Sequence, residues 1–133
     1  MKSLVAGNFR IEVGGLSSVG FSRCHGLGGT TRYLAVPEGG ACAPRLFADD
    51  RQWAPFRLER AFDADPGLLD WYRKGDARDG SIVLLSARGD EAARWCFHRG
   101  RVARWWGPSL DARQQGVAIE AVEIIHEGVE CET

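Results

Sequence analysis

The sequence predicts a mainly β (α+β) domain: an antiparallel β-barrel or sandwich of about seven strands with one short helix, and three observations predict it. Seventeen glycines among 133 residues require many turns, as short antiparallel connections do. Several stretches alternate apolar and polar residues with period two. A single segment carries both start and stop signals for a helix. One short helix cannot cover such a sheet, so the sheet must cover itself.

Phe9, Ile11 and Val13 recur with period two, and Gly14-Gly15 follows as a breaker. In residues 16–24, Val19 and Phe21 share one parity, which places this segment to return antiparallel to the first strand. Gly26-Leu27-Gly28-Gly29 interrupts it; without the lysine and helix of a phosphate loop, it reads as a turn. Residues 30–36 are β-rich, with Thr31, Tyr33 and Ala35 on one face, and Pro37 ends them.

Residues 37–54 hold Gly39, Gly40, Pro44 and Asp49-Asp50 without alternation. They are expected to form a long exposed loop, and loops of this length are usually functional or disordered. Leu46 and Phe47 in this loop would gain by burial in a neighbour. Phe56-Arg57-Leu58-Glu59-Arg60 resumes the alternation.

Asp65 and Pro66 open the predicted helix, one by accepting from first-turn amides and the other by lacking an N–H that would go unpaired. Leu68, Leu69 and Tyr72 follow at helical spacing, and Gly75 stands where a left-handed cap belongs. One of Trp71 and Tyr72 is expected to pack on the sheet. Ser81-Ile82-Val83-Leu84-Leu85 reads as a buried strand, followed by a turn at Arg88-Gly89-Asp90. Ala93, Trp95 and Phe97 share one face of the returning strand, with Arg94, Cys96 and His98 on the other. Gly100 marks a bend before a strand at 102–106, and Gly107-Pro108 stops it. Residues 117–125 form a last long strand in which Glu120 and Glu123 are expected to face water or a partner.

The whole chain, 1–133, reads as a single domain. Seventeen basic and 18 acidic residues leave a net charge of -1, so no global field favours nucleic acid or an anionic membrane. No stretch approaches the ~20 apolar residues of a spanning helix, and the N-terminal residues lack a secretory core. Cys24, Cys42, Cys96 and Cys131 show no CxxC spacing, so reduced thiols and a cytoplasmic origin are expected.

Three chemical readings compete with a purely structural one. Cys96 and His98 on one face, with Cys24 elsewhere, suggest a small metal- or ligand-binding β-module, but the spacing fits no zinc pattern. The five tryptophans suggest ligand stacking, although aromatics on strands and helices usually serve the core or a subunit contact. Adjacent Trp105 and Trp106 must face opposite ways, placing one at an interface or under the helix. Glu120 and Glu123 suggest a carboxylate pair, but three residues apart on a strand they project to opposite faces. The expectation is no enzyme activity, no cofactor and no metal.

A chain of motifs carries a resemblance. Arg57-Leu58-Glu59-Arg60 leads into Leu68-Leu69-Asp70-Trp71-Tyr72-Arg73 and then Gly80-Ser81-Ile82-Val83-Leu84-Leu85. Ala93-Arg94-Trp95-Cys96-Phe97, Trp106-Gly107-Pro108-Ser109-Leu110, Val117-Ala118-Ile119-Glu120 and His126-Glu127-Gly128-Val129-Glu130 follow in order. Phe9-Arg10-Ile11-Glu12-Val13 and Val19-Gly20-Phe21-Ser22 open the series. With these motifs, residues 8–130 resemble the tube-protein family of contractile phage tails and extracellular contractile injection systems. Two features depart from the pattern: a shortened segment between Tyr33 and Phe56, and Gly116 in place of a polar turn residue.

The resemblance implies a tail-tube-like subunit that forms hexameric rings stacked head to tail around a channel, within a sheath whose contraction drives the tube through a target envelope. Its partners would be further copies of itself and the sheath, baseplate and cap proteins of the same particle, with cargo in the lumen. The role is either the main tube repeat or a specialised end ring, an initiator at the baseplate or a terminator near the cap. The expected contacts between subunits are Glu38, Arg45, Leu46 and Phe47 in the 37–54 loop, with Trp105, Glu120 and Glu123 on the strands.

Overall fold

The computed structural model describes residues 3–18, 20–40 and 42–132. Their elements run β1 (Phe9–Val13), β2 (Phe21–His25), β3 (Gly29–Val36), β4 (Arg45–Trp53), β5 (Phe56–Ala61), α1 (Gly67–Lys74), β6 (Arg78–Leu85), β7 (Glu91–Trp106), β8 (Ile119–Ile125) and β9 (Val129–Glu132). Seven strands form the body, in the order β1-β6-β7-β8-β5-β2 with β9 also on β7, and β3 pairs β4 in a separate hairpin. All pairings are antiparallel.

The long β7 makes the body a sandwich. Its first half pairs with β6 and β9, and its second half with β8. The strand changes sheets at Arg99, whose φ is 52°, and Gly100. Asp79 Oδ1 accepts from the Arg99 amide at 2.8 Å and holds this kink; such corners let one strand serve two sheets. The bend predicted at Gly100 is therefore real, but it lies within one continuous strand.

Both sheets point their apolar parity inward. Ile11, Val13, Ile82 and Phe97 from one sheet meet Phe56, Leu58, Val102, Val122 and Ile124 from the other, and Leu68 and Trp71 of α1 join them. The helix begins one residue later than its signals suggest. Asp65 Oδ1 accepts from the Gly67 amide at 2.9 Å, and Gly75 closes the helix in the left-handed conformation at φ 68°. Trp71 is the buried member of its pair, and Tyr72 is exposed.

Several expectations need correction. β2 returns along β5 instead of β1. The reason is that β2 and β5 flank the β3–β4 hairpin and continue its ladder, with the Ala54 amide donating to Gly28 O at 2.9 Å across the join. Val19, placed on the β2 parity, lies outside the described residues. The 37–54 loop is a strand for half its length, since β4 spans Arg45–Trp53. β4 shows no alternation because it is exposed throughout, and an alternating pattern records a buried face. β8 starts two residues late, and β9 carries no separate sequence signal.

The body does not close into a barrel. Among the described residues, β1 and β2 end the strand order without pairing each other, so the sandwich alternative is the one realised.

Candidate assembly interface

The hairpin is the first candidate surface. Register pairs Leu34 with Phe47, Ala35 with Leu46 and Val36 with Arg45. Opposed residues share a face, so Leu34, Val36 and Phe47 lie on one side, and Tyr33, Ala35 and Leu46 on the other. Both sides are apolar and both are exposed, with Leu46 at 67% and Phe47 at 45%. Exposed apolar surface grouped in this way marks a binding surface. A two-stranded hairpin is marginal in water, and this one is laced by ion pairs, Arg32 with Asp49 and Arg45 with Glu38, the latter at 3.2 Å. The Arg45 guanidinium also lies over the Phe47 ring.

Among the expected contact residues, Glu38, Arg45, Leu46 and Phe47 therefore stand together at the outer half of the hairpin. The three strand residues do not join them. Glu120 is 1% exposed and serves its own core: Arg60 Nε donates to Oε1 at 2.9 Å, and Trp105 Nε1 donates to Oε2 at 3.1 Å. It faces neither water nor a partner, because the inward parity of β8 that holds Val122 and Ile124 also carries Glu120, opposite Arg60. Trp105 is committed to the same bond and packs on the core. Glu123 points the other way, half-buried on the outer face opposite Arg57 and Arg104. Trp106 shares that face, with both guanidinium groups over its ring.

Sequence reasoning missed Tyr33, Leu34 and Val36 as contact candidates. Their signal was available: an apolar strand without a polar parity, ending at a Pro-Glu-Gly-Gly turn.

The outer face of the β1-β6-β7-β9 sheet is a charged lattice. Glu12 accepts from Arg94 Nη1 at 2.8 Å and from Arg10 Nε at 2.7 Å, and Glu91 also bonds Arg94. These bonds, Arg94 first, hold the Glu12 carboxyl below its usual range; Arg94 does the same for Glu91. Cys96 and His98 stand on this outer face, where Cys96 Sγ contacts Ser81 Oγ at 3.4 Å. Cys24 instead packs against the core, and burial pushes its thiol up to about 11. Cys24 and Cys96 thus point to opposite sides of the fold, and no group of three metal-ligating side chains occurs among the described residues.

The third candidate surface lies where the base of the hairpin meets the inner side of β7 and β9. A cleft of about 380 Å³ is lined by Leu27, Gly28, Gly29, Trp53, Trp95, Val129 and Cys131. A second, of about 220 Å³, adjoins it through Leu27 and Trp95 and runs on to Phe9 and Leu84.

Comparison with known proteins fits this geometry. The family model described as T4-like virus tail tube protein gp19 matches residues 5–130. No curated protein matches the chain. Among solved structures, the fold is similar to a chain of the PVC sheath-tube complex of an extracellular contractile injection system in the extended state: TM-score 0.86, 18% identity, covering 98% of this chain and 91% of that one. It is equally similar to a chain of the PVC sheath/tube terminator: TM-score 0.88, 17% identity, covering 100% and 99%. Hcp1 from Flavobacterium johnsoniae is more distant, at TM-score 0.62 and 12% identity, covering 93% and 94%.

Proposed function

We propose a mode of assembly from one premise: the chain belongs to the T4-like virus tail tube protein gp19 family and is a structural tube subunit. Copies close head to tail into hexameric rings, and the rings stack into the inner tube of a contractile, phage-tail-like injection particle. Sheath, baseplate and cap proteins of the same particle meet this tube, and its lumen takes cargo. The subunit works by association and carries out no chemistry.

The observation that carries this reading is the hairpin, whose two faces are both apolar and both exposed. Placing Leu46 or Phe47 in a neighbour contributes roughly 1.5–3 kcal/mol for each side chain fully buried. The body supports the same reading, because β1, β2 and β9 each present an edge to which a strand of a neighbour can be added. A wall of continuous sheet leaves no such edges and is stiff.

A second reading is favoured by the likeness to the PVC tube terminator, which covers nearly all of both chains: this chain forms a specialised end ring. Electron microscopy of the assembled particle, with the protein labelled, distinguishes the two. Label repeated along the tube supports the main repeat, a single labelled ring supports the end role, and unlabelled tubes contradict both.

A further inference from the structure

We propose that His126 is an acid-released latch at the root of the hairpin: the neutral ring fixes the hairpin to the body, and protonation lets it swing. The proposal rests on the tube reading and adds to it a means of regulating assembly.

The hairpin joins the body through residues 26–28, between β2 and β3, and through Ala54-Pro55, between β4 and β5. The two crossings are in close touch. A Cβ at Gly26, whose φ is 104°, would stand 2.9 Å from Pro55 O, and the Ala54 amide donates to Gly28 O. From this root the eight pairs of β3 and β4 run outward, which takes the tip ~26 Å away at strand rise. A turn of about 10° at the root therefore moves the tip by roughly 4–5 Å.

One side chain ties the root to the turn between β8 and β9. His126, in that turn, packs on the rings of Trp53 and Phe56, with centroids 6.1 Å and 5.4 Å away. Its Nδ1 accepts from the Gly128 amide at 3.2 Å, and its Nε2 meets Ala54 O at 3.0 Å. A ring nitrogen that accepts carries no proton, so the proton is on Nε2 and is donated to Ala54 O. Gly128 also backs Trp53, since a Cβ there would stand 3.4 Å from Trp53 Nε1.

An imidazolium has two donors and no acceptor. Protonation of Nδ1 sets two N–H groups against each other, so the ring or the Gly128 turn must move, and both bear on Trp53. The aromatic neighbours do not decide the matter, because their faces take a cation as well as a neutral ring. The Gly128 amide does. Its bond to Nδ1 is kept above the range in which histidines take up a proton, about pH 5–8, and lost as pH falls through it.

The charged groups on the elements around the ring are engaged elsewhere or face outward. Glu127, next in the turn, pairs with Arg99 at 2.8 Å. His98 turns to Glu130 on the outer face, at 3.7 Å, and Arg101 donates to Gly75 O. Arg57 lies over Trp106, and His25 stands opposite Arg57 on the outer face.

Hydrogen–deuterium exchange of the full chain tests the latch, with rates referred to intrinsic exchange at each pH. From about pH 7.5 to about pH 5.5, the Ala54 and Gly128 amides are expected to exchange roughly two- to tenfold faster, as the loss of one hydrogen bond gives, while those of β6 hold. His126→Gln keeps a donor and an acceptor but takes up no proton, so its root is expected to be equally protected at both values. Equal protection in the unmodified chain would overturn the proposal, and so would an acid effect that persists in His126→Gln. Should that variant not fold, the imidazole nitrogen shifts of His126 decide: root exchange that rises in step with ring protonation supports the latch, and a ring that protonates without it rejects the latch. Tube yield is expected to fall over the same range for the unmodified chain and to hold in His126→Gln. A constant yield from a chain whose root loosens would overturn the regulatory claim. If the root loosens but electron microscopy shows neither rings nor tubes at either pH, the tube reading fails and the latch stands.

Discussion

Arg60 and Glu120 face each other inside the core, Nε to Oε1 at 2.9 Å, with 2% and 1% of their side chains exposed. Each has further partners: Arg60 Nη2 donates to Asp65 O at 3.0 Å, and Trp105 Nε1 donates to Glu120. The network joins β5, β7, β8 and the entry to α1. Desolvating two charges is costly, so the pair adds little net stability, whereas a lone survivor would be a buried, uncompensated charge. Glu120→Ala is expected to cost about 3–5 kcal/mol in urea denaturation, and the double change Arg60→Met, Glu120→Leu much less. Equal losses in the two variants would contradict this.

The α1 pair gives a sharper contrast. Trp71 is fully buried and its Nε1 donates to Asp76 O at 2.9 Å, while Tyr72 is 44% exposed. Trp71→Ala is expected to cost about 3–5 kcal/mol, and Tyr72→Ala to stay within about 0.5 kcal/mol, as surface changes do. Thermal melts of the two variants check the order.

Gly80 and Gly100 hold the Phe97 ring from two sides. A Cβ at Gly80 would stand 2.4 Å from Phe97 Cζ, and one at Gly100 2.7 Å from Cε2. Phe97 is buried and in an edge-to-face contact with Phe56, so it has nowhere to move. Gly80→Ala is expected to destabilise by about 1–3 kcal/mol through overpacking, and pairing it with Phe97→Leu to recover part of that loss. No recovery would mean that the backbone, and not the ring, sets the requirement.

Much of this fold is legible in the residues, and the misses share one physical cause. β1, β5, β6 and β8 each bury one or both faces in this chain, and their side chains record it. β4 buries neither face, so Arg45–Trp53 reads as loop although it is a strand. Glu120 misleads in the opposite direction: a carboxylate on a strand implies water, and its internal partners Arg60 and Trp105 come from strands distant in sequence. The exposed apolar surface proposed for assembly was half visible, since Leu46 and Phe47 stand out in the sequence while Leu34 and Val36 read as ordinary strand residues.

Cys24 provides a test by pH. Burial raises its thiol from 9.0 to about 11, so the folded chain keeps the proton where the unfolded chain has released it. Ionisation therefore favours unfolding, and the stability of the folded state falls as pH rises from about 9 to about 11. The fall should be smaller in Cys24→Ala. At pH 8, iodoacetamide should label the exposed Cys42 and Cys131 well before Cys24. Labelling of Cys24 at the same rate would show that its site is open to water.

The central claim is that the exposed apolar hairpin holds subunits together, and replacing Leu46 and Phe47 by serine tests it most directly. Neither side chain belongs to the core of its own chain, so the double variant is expected to keep the circular dichroism spectrum and melting temperature of the unmodified protein. Electron microscopy of the same sample is expected to show no tubes. Tubes of normal length from a folded double variant would contradict the claim, and an unfolded variant would show that the hairpin packs on its own body.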